Sequence, residues 1–316
     1  MQIIKPAKLN SGDLIGIFAP SSPLSDFQKI ENAVAYFERL GYRVHVADSA
    51  YKEHGYLAGN DEERLKDLHS LFKNKDVKAI ICLRGGYGAI RYLGKINYQL
   101  IRRNPKILVG FSDITTLQLA IYNKAKLITF AGPMISTFFG NDKKDKFIEE
   151  QFWQMITSTK KKIRITNPQN EKFFTLSKGS AEGRILGGNL TSMLALSGSE
   201  YLPSFRNSIL LMEEVSEPPY KIDRYFSMLR LQKILHQTKG VILGRFVDCY
   251  EKNKDKKTLT LNEVINEYFE SIDKPVLYNV HHGHIEENLT LPIGANCRLN
   301  ASRGFIEIIE NVLKKN

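Results

Sequence analysis

Residues 106–122 read KILVGFSDITTLQLAIY and join a short apolar run to a helix-like pattern through the turn Gly110-Phe111-Ser112-Asp113. A strand, a small residue, a serine two places on and a helix start form the pattern of a nucleophile elbow, whose sharp turn raises the serine hydroxyl off the end of a sheet. The free N–H groups of the helix start favour a developing oxyanion there. The stretch predicts Ser112 as a nucleophile. The second glycine of Gly-x-Ser-x-Gly is missing, however, and a serine at this place is also an ordinary helix N-cap.

This elbow belongs to a series of short apolar runs that alternate with amphipathic segments. Strands are predicted at residues 14–18, 44–46, 79–83, 106–109 and 127–130, and helices at 27–40 and 62–72. Such alternation is typical of a doubly wound α/β fold, with a mostly parallel sheet covered on both faces. Sites in these sheets lie beyond the carboxyl ends of the strands, where Gly85, Gly86 and Ser112 all fall.

A polar stretch rich in Lys and Asn separates this pattern from a second α/β pattern. Beyond it, strands are predicted at 209–212 and 241–243, and helices at 191–196, 222–235 and 261–271. A chain of 316 residues is long enough for two domains of moderate size. We therefore predict an N-terminal domain at 1–155 that carries the serine, a linker at 156–178 and a C-terminal domain at 179–316.

The net charge of +11 raises the question of a nucleic-acid partner. Most of the lysines are scattered, and the densest basic run, Lys160 to Lys162 followed by Arg164, has no interleaved aromatic residues. It also matches no zinc-finger, RNA-recognition or helix-turn-helix signature. We predict no nucleic-acid partner and interpret the run as solvated.

The cysteines and the N-terminus indicate the compartment. Cys82, Cys249 and Cys297 are far apart and odd in number, which suits a reducing environment rather than a disulfide framework. The N-terminus lacks the apolar region of a signal peptide, and no apolar run approaches membrane-spanning length. A cytoplasmic protein without membrane contact is expected.

A glycine-rich turn, Arg84 to Gly88, ends the third predicted strand. Its backbone N–H groups can face a phosphate or an oxyanion closely because glycine has no side chain to obstruct them. The turn fits neither the phosphate-binding loop nor the dinucleotide fingerprint. A tight turn into a helix explains it equally well.

Two further segments carry ionisable side chains. Glu213, Glu214 and Glu217 lie in or just after a turn that follows a buried-type strand, and a carboxylate there can orient a histidine. Three of the seven histidines fall within residues 281–284. No carboxylate or cysteine has zinc-type spacing to them, so a catalytic base is favoured over a metal site. The order Ser112, Glu213, His284 is that of α/β-hydrolases.

Taken together, these motifs resemble the LD-carboxypeptidase family of serine peptidases, from about residue 13 to residue 300. The matching motifs are FAPSS at 18–22, RGGYG at 84–88, GFSDIT at 110–115, GGNL at 187–190, EEVSEPPYKIDR at 213–224, GH at 283–284 and LPIG at 291–294. Each motif is weak singly, and the ordered set is specific.

The resemblance implies a cytoplasmic homodimer that needs no cofactor and no metal. It implies release of terminal D-alanine from muropeptide tetrapeptides in cell-wall recycling, with the site between an N-terminal and a C-terminal α/β domain. By motif, Ser112 is the nucleophile, Glu213 the orienting acid and His284 the base, and the backbone N–H groups of Gly86 and Asp113 form the oxyanion hole.

A carboxypeptidase must also recognise the terminal carboxylate of its substrate. Arg84 and Arg224 are the candidates, although a structural ion pair with Asp223 or a neighbouring acid is the favoured role of Arg224. Glu217 is expected to fix the loop that follows it.

Some positions depart from the family pattern, and two rival functions remain open. Glu214 replaces the usual Asp, the stretch Phe130-Ala131-Gly132-Pro133 stands in place of the common His-Gly-Pro, and Gln118 replaces a frequent His. A sister branch hydrolyses microcin C-type peptidyl-nucleotides, but Phe111 and the RGGYG turn place this chain nearer the muropeptide enzymes. The more distant rival is a non-catalytic α/β module that holds an anion at the Ser112 helix start.

Overall fold

The computed structural model describes residues 2–315, which form two β-sheets with associated helices. The strands are β1 Leu14–Phe18, β2 Arg43–Val46, β3 Val77–Cys82, β4 Ile107–Gly110, β5 Thr129–Ala131, β6 Ile163–Ile165, β7 Phe174–Ser177, β8 Ser180–Asn189, β9 Ser208–Val215, β10 Gly240–Val247, β11 Val276–Tyr278, β12 Leu291–Ile293, β13 Asn296–Asn300 and β14 Phe305–Ile308. The helices are α1 Gln28–Arg39, α2 Asp61–Lys73, α3 Tyr98–Arg103, α4 Ile114–Ala125, α5 Lys146–Thr157, α6 Leu190–Leu194, α7 Pro219–Leu231, α8 Ile234–Gln237 and α9 Leu261–Phe269.

The first sheet contains the strands predicted from the N-terminal half. Its order is β12-β5-β4-β3-β1-β2, and the pairs from β5 to β2 are all parallel. All four residues of β4 are buried, as expected for a strand covered on both faces. The strand order reverses beside β1, which confirms the predicted doubly wound topology.

The sixth strand of this sheet comes from the predicted C-terminal domain. β12 pairs antiparallel with β5, with Leu291 opposite Ala131 and Ile293 opposite Thr129. Pro292 is tolerated in this strand because β12 lies at the sheet edge, where one side needs no ladder hydrogen bonds. The chain therefore builds most of the second sheet and then returns to the first.

The second sheet has the order β6-β14-β13-β8-β9-β10-β11-β7, with a parallel centre from β8 to β11 and antiparallel pairs on both flanks. Its two edge strands, β6 and β7, come from the stretch 156–178 that the sequence predicts as a linker. In β6, Ile163 and Ile165 are buried and Arg164 is exposed. Two alternating apolar residues within a Lys-rich stretch are thus enough for an edge strand.

Helix α4, which follows the elbow, also contacts the second sheet. Thr115 Oγ1 accepts a hydrogen bond of 3.0 Å from the backbone N–H of Asn189, at the end of β8. A β-carbon on Gly188 would lie 2.6 Å from the same oxygen, so glycine permits this close approach. These contacts hold the end of β8 against the helix that begins beside Ser112.

Candidate active site

Ser112 occupies a strained turn between β4 and α4. Its φ is +65°, a left-handed conformation that costs a non-glycine residue about 1–3 kcal/mol and is concentrated at functional sites. The Ser112 carbonyl accepts a 2.9 Å hydrogen bond from the Thr115 N–H, which opens the helix. Residue 113, at the N-cap, makes no side-chain capping bond. The Ser112 hydroxyl does not cap the helix either, because its hydrogen-bond partner is His284.

That hydroxyl faces His284, which in turn faces Glu213. His284 Nε2 lies 2.9 Å from Ser112 Oγ, and His284 Nδ1 lies 2.8 Å from Glu213 Oε2. Ser112 follows β4 of the first sheet, His284 lies in the connection between β11 and β12, and Glu213 lies in strand β9 of the second sheet. The structure therefore brings together the three side chains that the sequence singles out.

Glu213 is fully buried, and its second carboxylate oxygen has no hydrogen-bond partner within residues 2–315. Two glycines let other segments pack against it. A β-carbon on Gly283 would lie 2.7 Å from Glu213 Oε2, and one on Gly244 would lie 3.1 Å from Glu213 Cβ. Small residues at both positions allow the histidine loop to reach the carboxylate.

The surroundings of His284 raise its pKa above the ordinary 6.5 of an imidazole. Burial by itself lowers this pKa, because it disfavours the charged ring. The negative charge of Glu213, its hydrogen bond to Nδ1 and the charge of Glu214 outweigh burial. The Phe111 ring packs edge-on against the His284 imidazole, with 5.1 Å between the ring centroids, and so restricts the orientation of the imidazole. The site therefore favours the protonated form of the imidazole.

Glu214 points to the other face of β9 and belongs to a separate network. It accepts hydrogen bonds from Asn189 Nδ2 at 2.8 Å, from the Thr191 N–H at 2.8 Å and from the Thr191 hydroxyl at 2.6 Å. Burial raises the pKa of its carboxyl. Because neighbouring side chains alternate along a strand, Glu213 and Glu214 serve different sides of the sheet. Glu217 pairs with Lys221 of α7 at 2.9 Å.

The glycine-rich loop after β3 lies directly against the elbow. A β-carbon on Gly85 would stand 2.8 Å from Ser112 Cβ and 3.4 Å from the Asp113 backbone nitrogen. Gly86 has φ +107°, which favours glycine, and it packs against Ser22. Within residues 2–315, the N–H groups of Gly86 and Asp113 donate to no backbone carbonyl.

Within residues 2–315, the two arginines predicted to bind substrate form no hydrogen bond or ion pair with Ser112, His284 or Glu213. Arg84 is half-buried and donates from Nη1 to the Pro23 carbonyl at 3.1 Å. Arg224 is exposed and lies 5.6 Å from the centre of the Tyr220 ring. In the described part of the chain it has no carboxylate within 4.0 Å, so the ion pair with Asp223 that the sequence suggested is not formed.

The other two histidines of the cluster anchor the loop. His282 is fully buried with Nδ1 2.9 Å from the Leu289 carbonyl, and burial lowers its pKa. His281 contacts Glu171, and its backbone N–H donates to Asn167 Oδ1 at 2.9 Å. Sequence reasoning missed Asn167 and Glu171, which have no local signal. No group of three or more His, Cys, Asp or Glu side chains suited to a metal ion occurs between residues 2 and 315.

The fold and the site define a two-domain α/β hydrolase in which hydrogen bonds join a serine to a histidine and the histidine to a carboxylate. Sequence models of the LD-carboxypeptidase N-terminal and C-terminal domains match residues 15–132 and 182–299. The chain belongs to the LD-carboxypeptidase family, and it is a carboxypeptidase.

Relatives named for murein peptides and a relative named for microcin immunity both match this chain. The chain is 36% identical to a probable murein peptide carboxypeptidase of Bacillus subtilis, over 94% of this chain and 92% of the relative. The structure of a muramoyltetrapeptide carboxypeptidase from Oxalobacter formigenes is similar, with a TM-score of 0.83 and 27% identity over 95% of this chain and all of that one. The microcin C7 self-immunity protein MccF has a TM-score of 0.90 and 28% identity, over 98% of this chain and 99% of that one.

No helix in the part of the chain that the structure describes is long and apolar enough to cross a membrane.

Proposed function

We propose that the protein is a serine-type LD-carboxypeptidase that releases terminal D-alanine from muropeptide tetrapeptides during peptidoglycan recycling. The observation that carries this proposal is the hydrogen-bonded series from Ser112 through His284 to Glu213, with spacings of 2.9 Å and 2.8 Å. A carboxylate that holds an imidazole next to a serine hydroxyl is the arrangement that serine peptidases use. The murein peptide carboxypeptidase among the relatives supports the substrate class.

In the first step, His284 Nε2 takes the Ser112 hydroxyl proton while Oγ attacks the carbonyl carbon between the L-configured third residue and D-alanine. His284 becomes an imidazolium, which the Glu213 carboxylate stabilises through Nδ1–H. The tetrahedral oxyanion accepts hydrogen bonds from the N–H groups of Gly86 and Asp113. The Asp113 N–H directly follows Ser112, and the Gly86 N–H follows Gly85, which packs against the Ser112 side chain. Neither group donates to a backbone carbonyl in the described chain.

In the second step, the imidazolium gives its proton to the amine of D-alanine, and the C–N bond breaks to leave an acyl ester on Ser112. Water then gives a proton to His284 while its oxygen attacks the ester carbonyl. The imidazolium returns that proton to Ser112 Oγ as the ester bond breaks, which regenerates the serine and frees the shortened peptide. Every proton stays on Ser112, His284, the substrate or water. The residues present therefore complete the cycle.

Recognition of the terminal carboxylate falls to Arg84 or Arg224. Arg84 is the first residue of the glycine-rich turn, and one guanidinium nitrogen donates to the carbonyl of Pro23, the residue after Ser22, which packs against Gly86. Its other donors remain suited to a carboxylate. Arg224 lies on α7 with its guanidinium near Tyr220. We favour Arg84 and expect the larger rise in KM from Arg84→Ala.

A second candidate is hydrolysis of a microcin C-type peptidyl-nucleotide amide. The structural likeness to the self-immunity protein MccF favours it, because 98% of the chain superposes with a TM-score of 0.90. The same serine chemistry serves both substrates. Phe111 and the Arg84–Gly88 turn favour the muropeptide enzyme.

Substrate panels separate these functions. Purified protein is incubated with L-Ala-γ-D-Glu-diaminopimelate-D-Ala, with the corresponding lysine peptide, with the L-Ala diastereomer of the last residue and with a peptidyl-nucleotide amide. Free alanine from the D-terminated peptides alone is the expected result. Cleavage of the peptidyl-nucleotide alone supports the second candidate and rejects the first.

We also propose a cytoplasmic location and a homodimer. Cys82, Cys249 and Cys297 are free and buried, which supports a reducing compartment. The dimer rests on the family resemblance, and sedimentation equilibrium tests it by giving one or two times the 36.1 kDa chain mass.

A further inference from the structure

The side chain of Asp113, beside the nucleophile, binds two loops rather than its own helix. Its carboxylate is buried, with 6% of the residue exposed. Oδ2 accepts a hydrogen bond of 2.7 Å from the Ser21 hydroxyl and one of 2.9 Å from the Ala89 N–H. Ser21 follows β1, and Ala89 is the first residue after the glycine-rich turn that follows β3. One carboxylate therefore joins both loops to the elbow.

The glycine-rich loop is held at its other end by the neighbouring serine. Ser22 Oγ accepts a hydrogen bond of 3.1 Å from the Tyr87 N–H, and the Ser22 N–H donates to the Gly85 carbonyl at 3.3 Å. Gly86 lies between these two contacts. Its N–H direction is therefore set by Ser22 on one side and, through Ala89, by Asp113 on the other.

The segment that supplies Ser21 and Ser22 is itself rigidly supported. Arg64 is fully buried and donates from Nη1 to the Pro20 carbonyl at 2.7 Å. The Tyr92 hydroxyl donates to the same carbonyl at 3.1 Å. A buried arginine and a buried tyrosine on one carbonyl oxygen give the loop a fixed place, because each unmade bond would leave a buried polar group unpaired.

The geometry points to Asp113 as a positioning residue whose carboxylate fixes the spacing between the Gly86 N–H and the Asp113 N–H. The inference rests on the proposed function, in which these two groups bind the oxyanion. Preorganised donors are effective because they need no rearrangement when charge develops. Asp113 supplies one donor through its own backbone N–H, and its carboxylate binds the loop that carries the other donor, the Gly86 N–H. The carboxylate therefore holds the two N–H groups at a fixed distance from each other.

Asp113→Asn tests the inference, with Asp67→Asn as its matched control. Asparagine keeps the shape of the side chain but has only one acceptor oxygen and no charge. An NH2 group at the place of Oδ2 opposes the donors of Ser21 and Ala89, and an NH2 group at the place of Oδ1 opposes the backbone N–H of Gly88, which also bonds to this carboxylate. Asp67 is also a buried carboxylate that accepts a backbone N–H, that of Ser49 at 2.7 Å, away from the elbow. We expect Asp113→Asn to lower kcat by about 10–100-fold with little change in KM, because displaced donors lose transition-state binding. Asp67→Asn retains wild-type kcat.

A second readout needs no peptide substrate. The rate constant for phosphonylation of Ser112 by a fluorophosphonate also depends on donors to a developing oxyanion, so it should fall with kcat in Asp113→Asn. The acid limb of the kcat/KM pH profile should stay in place, because the His284–Glu213 contact is untouched. A purely structural role would lower only the melting temperature and the fraction of labelled protein, with kcat per labelled serine unchanged.

The outcomes are distinct. Wild-type labelling and kcat in folded Asp113→Asn overturn the inference. If Asp113→Asn does not fold, Ser21→Ala removes one hydrogen bond to the carboxylate, and it should slow labelling by about 3–10-fold. An unchanged rate overturns the inference. If the wild-type protein releases no D-alanine yet Asp113→Asn slows labelling, the positioning role stands and the proposed substrate is wrong.

Discussion

Gly283 packs directly against Glu213, so that a β-carbon on the glycine would stand 2.7 Å from Oε2 and 3.0 Å from Cβ of the glutamate. The glycine has φ +127°, a conformation that other residues rarely adopt. It precedes His284, whose Nδ1 lies 2.8 Å from the same carboxylate oxygen. The contact between Gly283 and Glu213 therefore sets how closely the histidine approaches its acid.

Gly283→Ala should lower kcat by about 100-fold, because displacement of a catalytic group by about 1 Å has an effect of that size. Steady-state kinetics on the tetrapeptide give the value. Gly198→Ala is the matched control, since Gly198 also has a positive φ, +77°, but no atom lies within 4 Å of the added β-carbon. Equal loss of activity in both variants would show that backbone strain, not contact with Glu213, is responsible.

Glu213 and Glu217 should differ sharply on replacement. Glu213→Ala removes the carboxylate bonded to His284 and should lower kcat/KM by about 10³–10⁴-fold. Glu217→Ala removes an ion pair with Lys221 at 2.9 Å, and activity should stay within about threefold because partly exposed pairs contribute little. The reverse pattern would identify Glu217 as the acid.

The pH profile should report the raised pKa of His284. A general base must be neutral, so kcat/KM should fall as the pH drops through a pKa above 6.5. Glu213→Gln removes the larger of the two charges that raise this pKa, and burial, which lowers it, is then opposed by the smaller effect of Glu214. The acid limb should therefore move to lower pH while the plateau falls. An acid limb that stays in place in Glu213→Gln would mean that another group titrates.

Glu214 should matter for stability more than for chemistry. Glu214→Ala leaves buried donors of Asn189 and Thr191 unpaired, and the free energy of unfolding should fall by about 1–3 kcal/mol. Urea denaturation measures this loss, and kcat of the folded protein should change less than tenfold. Glu214→Asp keeps the charge and should lose less stability. A stable but inactive Glu214→Ala variant would contradict this division of roles.

Local sequence patterns predicted the elbow because the strand, the turn and the helix are contiguous. The same holds for the parallel strands β1, β3 and β4, whose apolar runs are mostly buried, whereas β2 lies at the sheet edge and has no buried residue. By contrast, β12 has three residues with a central proline, and its pairing with β5 depends on a partner about 160 residues away. No local pattern carries that information.

The site follows the same division. Ser112, Glu213 and His284 could be selected from motifs and chain order, and the structure places them within hydrogen-bonding distance. Asn167 and Glu171, which hold the histidine loop, could not, because their contacts with His281 bridge more than 100 positions. The two side chains look like ordinary polar residues of an edge segment. Tertiary contact alone gives them a role.

The most direct test of the account measures free D-alanine from a muropeptide tetrapeptide with wild-type protein and with Ser112→Ala. The account predicts release by the wild-type protein and a rate reduced by roughly 10⁴–10⁶-fold in Ser112→Ala, because the nucleophile is lost. Glu217→Ala serves as the folded, active control. Equal release by wild type and Ser112→Ala, or none by wild type under conditions where Ser112 reacts with a fluorophosphonate, would contradict it.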